Sequence, residues 1–146
     1  MSSFKGQYKY TLDSKGRLNI PSKLRKSISP EANETFVITR GLETCLFVYP
    51  LDEWNRIEEK LRNLPMTQKN NRLFVRLMLS NASESQLDKQ GRISIPANLL
   101  NIARIEKDVL IIGTLERIEF WNPDIFQKYI DEAGESYENI AENIMF

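Results

Sequence analysis

Histidine is absent from this chain of 146 residues, and cysteine occurs once. Without imidazole there is no histidine-dependent triad, no side chain that ordinarily shuttles protons near neutral pH, and no histidine-containing metal site. The single Cys45 has no partner in its own chain for a disulfide. It lies in an apolar, strand-like run and reads as a small core residue. Long apolar runs are missing as well: stretches such as residues 109–112 fall far short of the roughly 18 apolar residues a membrane helix needs. The opening MSSFKGQYKY has no apolar signal core. Neither the P-loop nor the G-x-G-x-x-G pattern occurs. The expectation is a cytoplasmic protein that is not an enzyme and takes no cofactor, no metal and no small-molecule substrate.

Net charge is also lacking, with 20 basic and 20 acidic residues. The even sum hides a polarity. Residues 5–28 hold Lys5, Lys9, Lys15, Arg17, Lys23, Arg25 and Lys26 against Asp13 alone, whereas residues 116–146 hold eight acids against Arg117 and Lys128. A basic face can bind phosphates while an acidic end keeps the molecule soluble; two ordinary solvated faces would look the same by charge alone. Hydrophobic residues at 41% and charged residues at 27% mark a globular composition, large enough for one ordinary domain or two small ones that share a core.

What the sequence does have is an internal repeat. YTLDSKGRLNIPSKL (10–24) aligns with SQLDKQGRISIPANL (85–99) at an offset of 75. Leu12/Leu87, Asp13/Asp88, Gly16/Gly91, Arg17/Arg92, Ile20/Ile95, Pro21/Pro96 and Leu24/Leu99 are identical. A weaker match with an offset near 72 sets residues 36–54 against 109–126, pairing Gly41 with Gly113, Tyr49 with Trp121 and Trp54 with Phe126. The chain is thus a duplicated module of about 55 residues. Its parts are repeat 1 over 5–61, a connecting helix over 62–82, repeat 2 over 83–133 and an acidic tail over 134–146.

Each module reads β-turn-β-α-β-β-α. Asp13 to Gly16 and Asp88 to Gly91 form tight turns in which the aspartate accepts from backbone N–H groups ahead of it and the glycine supplies positive φ. In the strand after the turn, alternation sends Leu18 and Ile20 inward and puts Arg17 and Asn19 on the other face; Ile93 and Ile95 point in, Arg92 and Ser94 out. Pro21 and Pro96 suit the first turn of short helices over 21–28 and 96–103. Strands follow at 36–39 and 45–49, and at 109–112 and 118–121. A closing helix presents Trp54, Ile57 and Leu61 in repeat 1, and Phe126, Tyr129 and Ile130 in repeat 2, all expected to pack into the core. Leu73, Phe74, Leu77 and Met78 give the connecting helix an apolar face beside Arg72 and Arg76. One copy has too little core to stand alone, so two copies are expected to close a small barrel with pseudo-two-fold symmetry.

The two D-x-x-x-R elements, Asp13 to Arg17 and Asp88 to Arg92, each sit inside L-D-x-x-G-R-[LI]-x-I-P. With Phe4-Lys5-Gly6 before the first and the segment FVRLMLSNA (74–82) between the repeats, the chain resembles the MraZ family over nearly its whole length. A single such element would suggest only the broader AbrB group. The resemblance implies an α+β fold, a double-split, swapped-hairpin AbrB-like β-barrel built from both repeats with peripheral helices. It also implies binding to double-stranded promoter DNA carrying direct repeats, control of a division and cell-wall gene cluster, association with the nucleoid, and assembly into a ring-shaped homo-oligomer. Arg17 and Arg92 are expected to read guanine through its O6 and N7. Lys5, Lys9, Lys15, Lys23, Arg25 and Lys26 are expected to contact phosphates. Asp13, Gly16, Asp88 and Gly91 would shape the motif without touching DNA.

The sequence departs from the family at Lys5, where arginine is frequent. Gln90 replaces the equivalent of Lys15, and Ala97-Asn98 replaces Ser22-Lys23, which makes repeat 2 the weaker phosphate binder; Arg104 and Lys107 read equally as added phosphate contacts or as solvated charges at a helix end. Two other readings stand beside the regulator. One is an AbrB-type antitoxin, with residues 134–146 as a toxin-binding tail. The other is a protein-interaction module with its basic segment buried between subunits.

Overall fold

The computed structural model describes residues 1–146. Repeat 1 contributes β1 (Gln7–Thr11), β2 (Arg17–Asn19), α1 (Ser22–Arg25), β3 (Thr35–Arg40), β4 (Cys45–Pro50) and α2 (Leu51–Arg62). The connection carries α3 (Lys69–Ser80). Repeat 2 contributes β5 (Ser83–Gln86), β6 (Arg92–Ser94), α4 (Ala97–Ile102), β7 (Asp108–Thr114), β8 (Arg117–Trp121) and α5 (Pro123–Asp131). A last helix, α6 (Tyr137–Ile144), runs through the acidic tail.

The architecture is mixed α+β, with a six-stranded sheet in the order β1-β7-β8-β4-β3-β5 and a separate two-stranded ribbon, β2-β6. All pairings are antiparallel. Exchanging each strand with its counterpart in the other repeat reverses the sheet order onto itself, so the pseudo-two-fold axis passes between β4 and β8. The first strand of each repeat leaves its own module: β1 pairs with β7, and β5 pairs with β3. Neither repeat can complete its sheet without the other, as expected for modules too small to bury a core alone.

Alternation along the sheet explains why β3 and β4 read as continuous apolar runs. Phe36, Ile38, Leu46, Val48, Val109, Ile111, Ile118 and Phe120 enter a core on one face, joined by Leu18, Ile20 and Leu24 of repeat 1 and Ile93, Ile95 and Leu99 of repeat 2. Val37, Cys45, Phe47, Tyr49, Leu110 and Trp121 enter a second cluster on the other face, with Trp54, Leu61 and Met78 from α2 and α3. A sheet covered on both faces has no polar side to show. The offset of 72 is visible in the packing: Tyr49 lies 5.7 Å from Trp54, and Trp121 lies 4.9 Å from Phe126, ring centre to ring centre.

Two expectations need correction. The short helices are shorter than 21–28 and 96–103, because Pro21 and Pro96 are extended residues just ahead of Ser22 and Ala97 rather than in the first turn. In α5 no residue is buried: Phe126 and Tyr129 pack on Trp121, ring centres 4.9 and 5.4 Å away, but Tyr129 and Ile130 stay about half exposed, so the helix lies against the core without entering it. The tail forms a capped helix. No helix is long and apolar enough to cross a membrane.

Candidate nucleic-acid interface

Each D-x-x-x-R turn is closed by the same set of bonds. Asp13 Oδ1 accepts from the backbone N–H groups of Lys15 and Arg17, both at 2.9 Å, and Oδ2 accepts from Arg17 Nε at 2.7 Å. Asp88 Oδ1 accepts from Gln90 and Arg92 at 2.9 Å, and Oδ2 from Arg92 Nε at 2.8 Å. Gly16 and Gly91 share φ of +74°, a left-handed conformation in which a β-carbon would be strained. The backbone N–H donated by Arg17, opposed in part by desolvation, lowers the Asp13 carboxyl to about 2, with the Arg17 side chain and the Lys15 N–H adding to it. Asp88 is lowered for the same reasons, first of them the Arg92 backbone N–H.

The ribbon sets the two turns side by side. Its register is Arg17 opposite Ser94, Leu18 opposite Ile93 and Asn19 opposite Arg92. Leu18 and Ile93 are buried beneath it, which fixes Arg17, Asn19, Arg92 and Ser94 on the outer face. Each turn also clamps the opposite strand: Ile20 N–H donates to Gly91 O and Ile95 N–H to Gly16 O, both at 2.9 Å. Arg92 Nη1 lies 3.6 Å from Asp13 Oδ2, an ion pair between repeats with no mirror image at Arg17 and Asp88. Nε of each arginine is engaged by the aspartate of its own turn, and Arg92 Nη1 also faces Asp13. Arg17 stays 32% exposed and Arg92 22%, enough to offer donors outward while remaining held.

The structure brings together Asp13, Arg17, Asp88 and Arg92, and seats the Arg25 guanidinium against Gly91, its Cζ 2.8 Å from where a β-carbon would stand. Lys15 is exposed in the first turn; Lys23 and Arg25 are exposed on α1, with Lys26 at its end. Lys5 and Lys9 lie elsewhere. Lys9 is exposed on the edge strand β1 opposite Leu110, and the Lys5 backbone crosses Gly113 so closely that no side chain fits there. Neither makes an ion pair with the motif cluster.

Lys89 was missed by aligning Gln90 with Lys15. It is exposed in the second turn and, with Arg25, lines a cleft of about 550 Å³ beside Asp88 and Gly91. The signal was present, since D-K-Q-G carries the same lysine one position earlier than D-S-K-G. Asn19 also joins the repeats, donating to Gln90 O at 3.1 Å.

With this geometry in place, similarity to known proteins is informative. The sequence model of the family described as "MraZ protein, putative antitoxin-like" matches twice, over residues 3–77 and 78–145. The chain is 49% identical over 142 residues to "Transcriptional regulator MraZ" of Natranaerobius thermophilus, covering 97% of this chain and 96% of the relative. It is 53% identical over 138 residues to the protein of that name from Halothermothrix orenii, covering 94% of each. A third, from Caldanaerobacter subterraneus subsp. tengcongensis, is 50% identical over 139 residues, with 95% of this chain and 94% of the relative covered.

Proposed function

The chain belongs to the MraZ family, and from that premise we propose that it is a DNA-binding transcription regulator whose β2-β6 ribbon reads the major groove. The observation that carries this reading is the ribbon itself. Two buttressed arginines share its outer face in antiparallel register. A two-stranded ribbon is one of the two protein shapes the major groove of B-DNA admits, and a guanidinium fork matches guanine O6 and N7. Asp13 and Asp88 hold Nε and aim the fork; they do not face phosphate, which would repel them.

The four motif charges cancel, so the ribbon supplies discrimination and little attraction. Attraction comes from Lys15, Lys23, Arg25, Lys26 and Lys89 around it, through salt-dependent phosphate contacts. Lys5 and Lys9, on the sheet edge, engage phosphates further along the duplex.

The same reading extends to the assembly. The exchange of β1 and β5 supports a double-split, swapped-hairpin barrel, divided as 5–61, 62–82, 83–133 and 134–146. The protein is cytoplasmic and nucleoid-associated, binds direct repeats in promoter DNA of its own division and cell-wall cluster, and forms a ring whose subunits meet successive repeats. Weak contacts linked in a ring bind tightly because each raises the effective concentration of the next.

The test is a gel shift of the purified protein on its own upstream DNA at two salt concentrations, with Arg17→Ala and Arg92→Ala alongside. Preference for that DNA over a shuffled control, lost in folded arginine variants, is the expected result. Equal affinity for both DNAs would overturn it and favour the interaction module.

A further inference from the structure

Away from the ribbon, β4, α2 and α3 enclose an open groove of about 620 Å³ whose walls include Phe47, Ile57, Leu64, Phe74, Leu77 and Met78. Phe74 is 45% exposed and Leu77 41%. Its rim carries Arg40, Lys60 and Arg117 against the single acid Glu43. Arg117 lies 3.9 Å over the Phe47 ring and pairs with Glu119, yet its buried Nε has no hydrogen-bond partner. Aliphatic and aromatic walls under a cationic rim fit an amphipathic helix of acidic character.

The chain carries such a helix. In α6, Tyr137, Ile140, Ala141 and Ile144 fall at i, i+3, i+4 and i+7, one face of a helix. Nothing in α6 is buried, and Tyr137 and Ile144 are 82% and 75% exposed. Glu138 and Glu142 flank that face one turn apart, and residues 134–146 contain no cation. No residue of α6 lines the groove of its own chain.

We propose that α6 of one copy docks its apolar face into the groove of a second copy, with Glu138 and Glu142 toward the Arg40, Lys60 and Arg117 rim. This rests on the self-association proposed above and names the surfaces that carry it. Helix and groove are different patches, so the contact is head-to-tail and propagates until the copies close a ring. An eight-residue helix covers less than the about 800 Å² per partner of a standard interface. A single contact is therefore weak, and closure, which gives every copy two contacts, is what makes the assembly stable.

The test uses full-length protein. One variant carries Ile140→Glu and Ile144→Glu, the other Leu77→Glu; all three side chains are at least 40% exposed, so both variants stay folded. Light scattering is expected to show a closed oligomer for the wild type and monomers for each variant. The helix variant keeps its groove and the groove variant keeps its helix. Anisotropy of labelled helix variant should therefore rise and saturate when groove variant is titrated in, and stay flat with more helix variant. A flat response to both overturns docking between copies. An oligomer that survives both variants overturns the α6 contact alone, and a monomeric wild type overturns the self-association reading with it.

Discussion

Repeat 1 and repeat 2 build the same turn with the same bonds and then surround it differently. Repeat 1 carries Lys15, Lys23, Arg25 and Lys26, and the Arg25 guanidinium crosses to lie against Gly91 of the second turn; in repeat 2, Lys89 is the only cation besides Arg92 within residues 80–103, against Glu84 and Asp88. Behind the turns, α2 buries Trp54 and Leu61, while its counterpart α5 buries nothing. The parts that must be alike for the fold to close, namely the turn, the ribbon and the inward Leu18 and Ile93, are alike. The exposed parts have diverged. Symmetry here is a property of the core, and asymmetry is confined to the surface.

The largest effects test the symmetric part. Leu18 and Ile93 face each other under the ribbon at 0% and 1% exposure. Leu18→Ala and Ile93→Ala should each destabilise by about 2–5 kcal/mol, and by similar amounts, since each leaves its cavity in one shared core. Urea unfolding checks this, and a loss confined to one variant would show that the repeats fold as unequal partners.

Next come Arg17→Ala and Arg92→Ala. Each should cost about 1–3 kcal/mol of specific binding, roughly five- to 150-fold in affinity, with little change in melting temperature. The register gives both arginines equivalent places, so the losses should be comparable. A loss from one alone would mean that the ribbon lies askew and a single repeat reads.

Much of this was legible in the sequence because it is local. The D-x-x-x-R turn is set within five residues, and alternation named Leu18, Ile20, Ile93 and Ile95 as inward, which they are. Partner choice was not legible: period two tells which face a residue takes, not that β1 joins β7 across about 100 residues. The Arg92–Asp13 pair follows from the pairing of β2 with β6 and likewise leaves no local trace. For α5, the aromatic spacing was right for contact with Trp121, which Phe126 and Tyr129 both make, but spacing does not tell how deeply a helix is covered, and Tyr129 and Ile130 stay about half exposed.

The charge asymmetry should appear in salt dependence. Removing Lys23 and Lys26 together should flatten the slope of log affinity against log salt by about 2, and Lys15→Ala or Lys89→Ala by about 1 each. The reverse change sharpens the comparison. Asn98 holds the place in repeat 2 that Lys23 holds in repeat 1. Asn98→Lys should steepen the slope by about 1 while leaving the preferred sequence unchanged. A slope that stays put would show that α4 does not face the phosphates.

The smallest effect separates the two aspartates. Asp13 titrates near 2 in the folded chain instead of at its ordinary 3.8, and Asp88 is lowered too. A depressed carboxyl favours the folded state above pH 4 and gives up that contribution as pH falls from about 4 to about 2. Wild-type protein should therefore lose stability across that window, and Asp13→Asn should flatten the loss. At neutral pH the two asparagine variants part company. Asparagine keeps an oxygen for the backbone N–H groups but turns an amide toward Arg17 Nε, donor against donor, and frees the arginine. Asp13 also faces Arg92 Nη1, whereas Asp88 holds only Arg92, which would retain Asp13 as a partner. Asp13→Asn should thus loosen both forks and Asp88→Asn only one. The loss of discrimination between operator and shuffled DNA should be greater for the first, and each smaller than for the corresponding arginine deletion. Equal losses would mean that the ion pair between repeats does not help to aim Arg92.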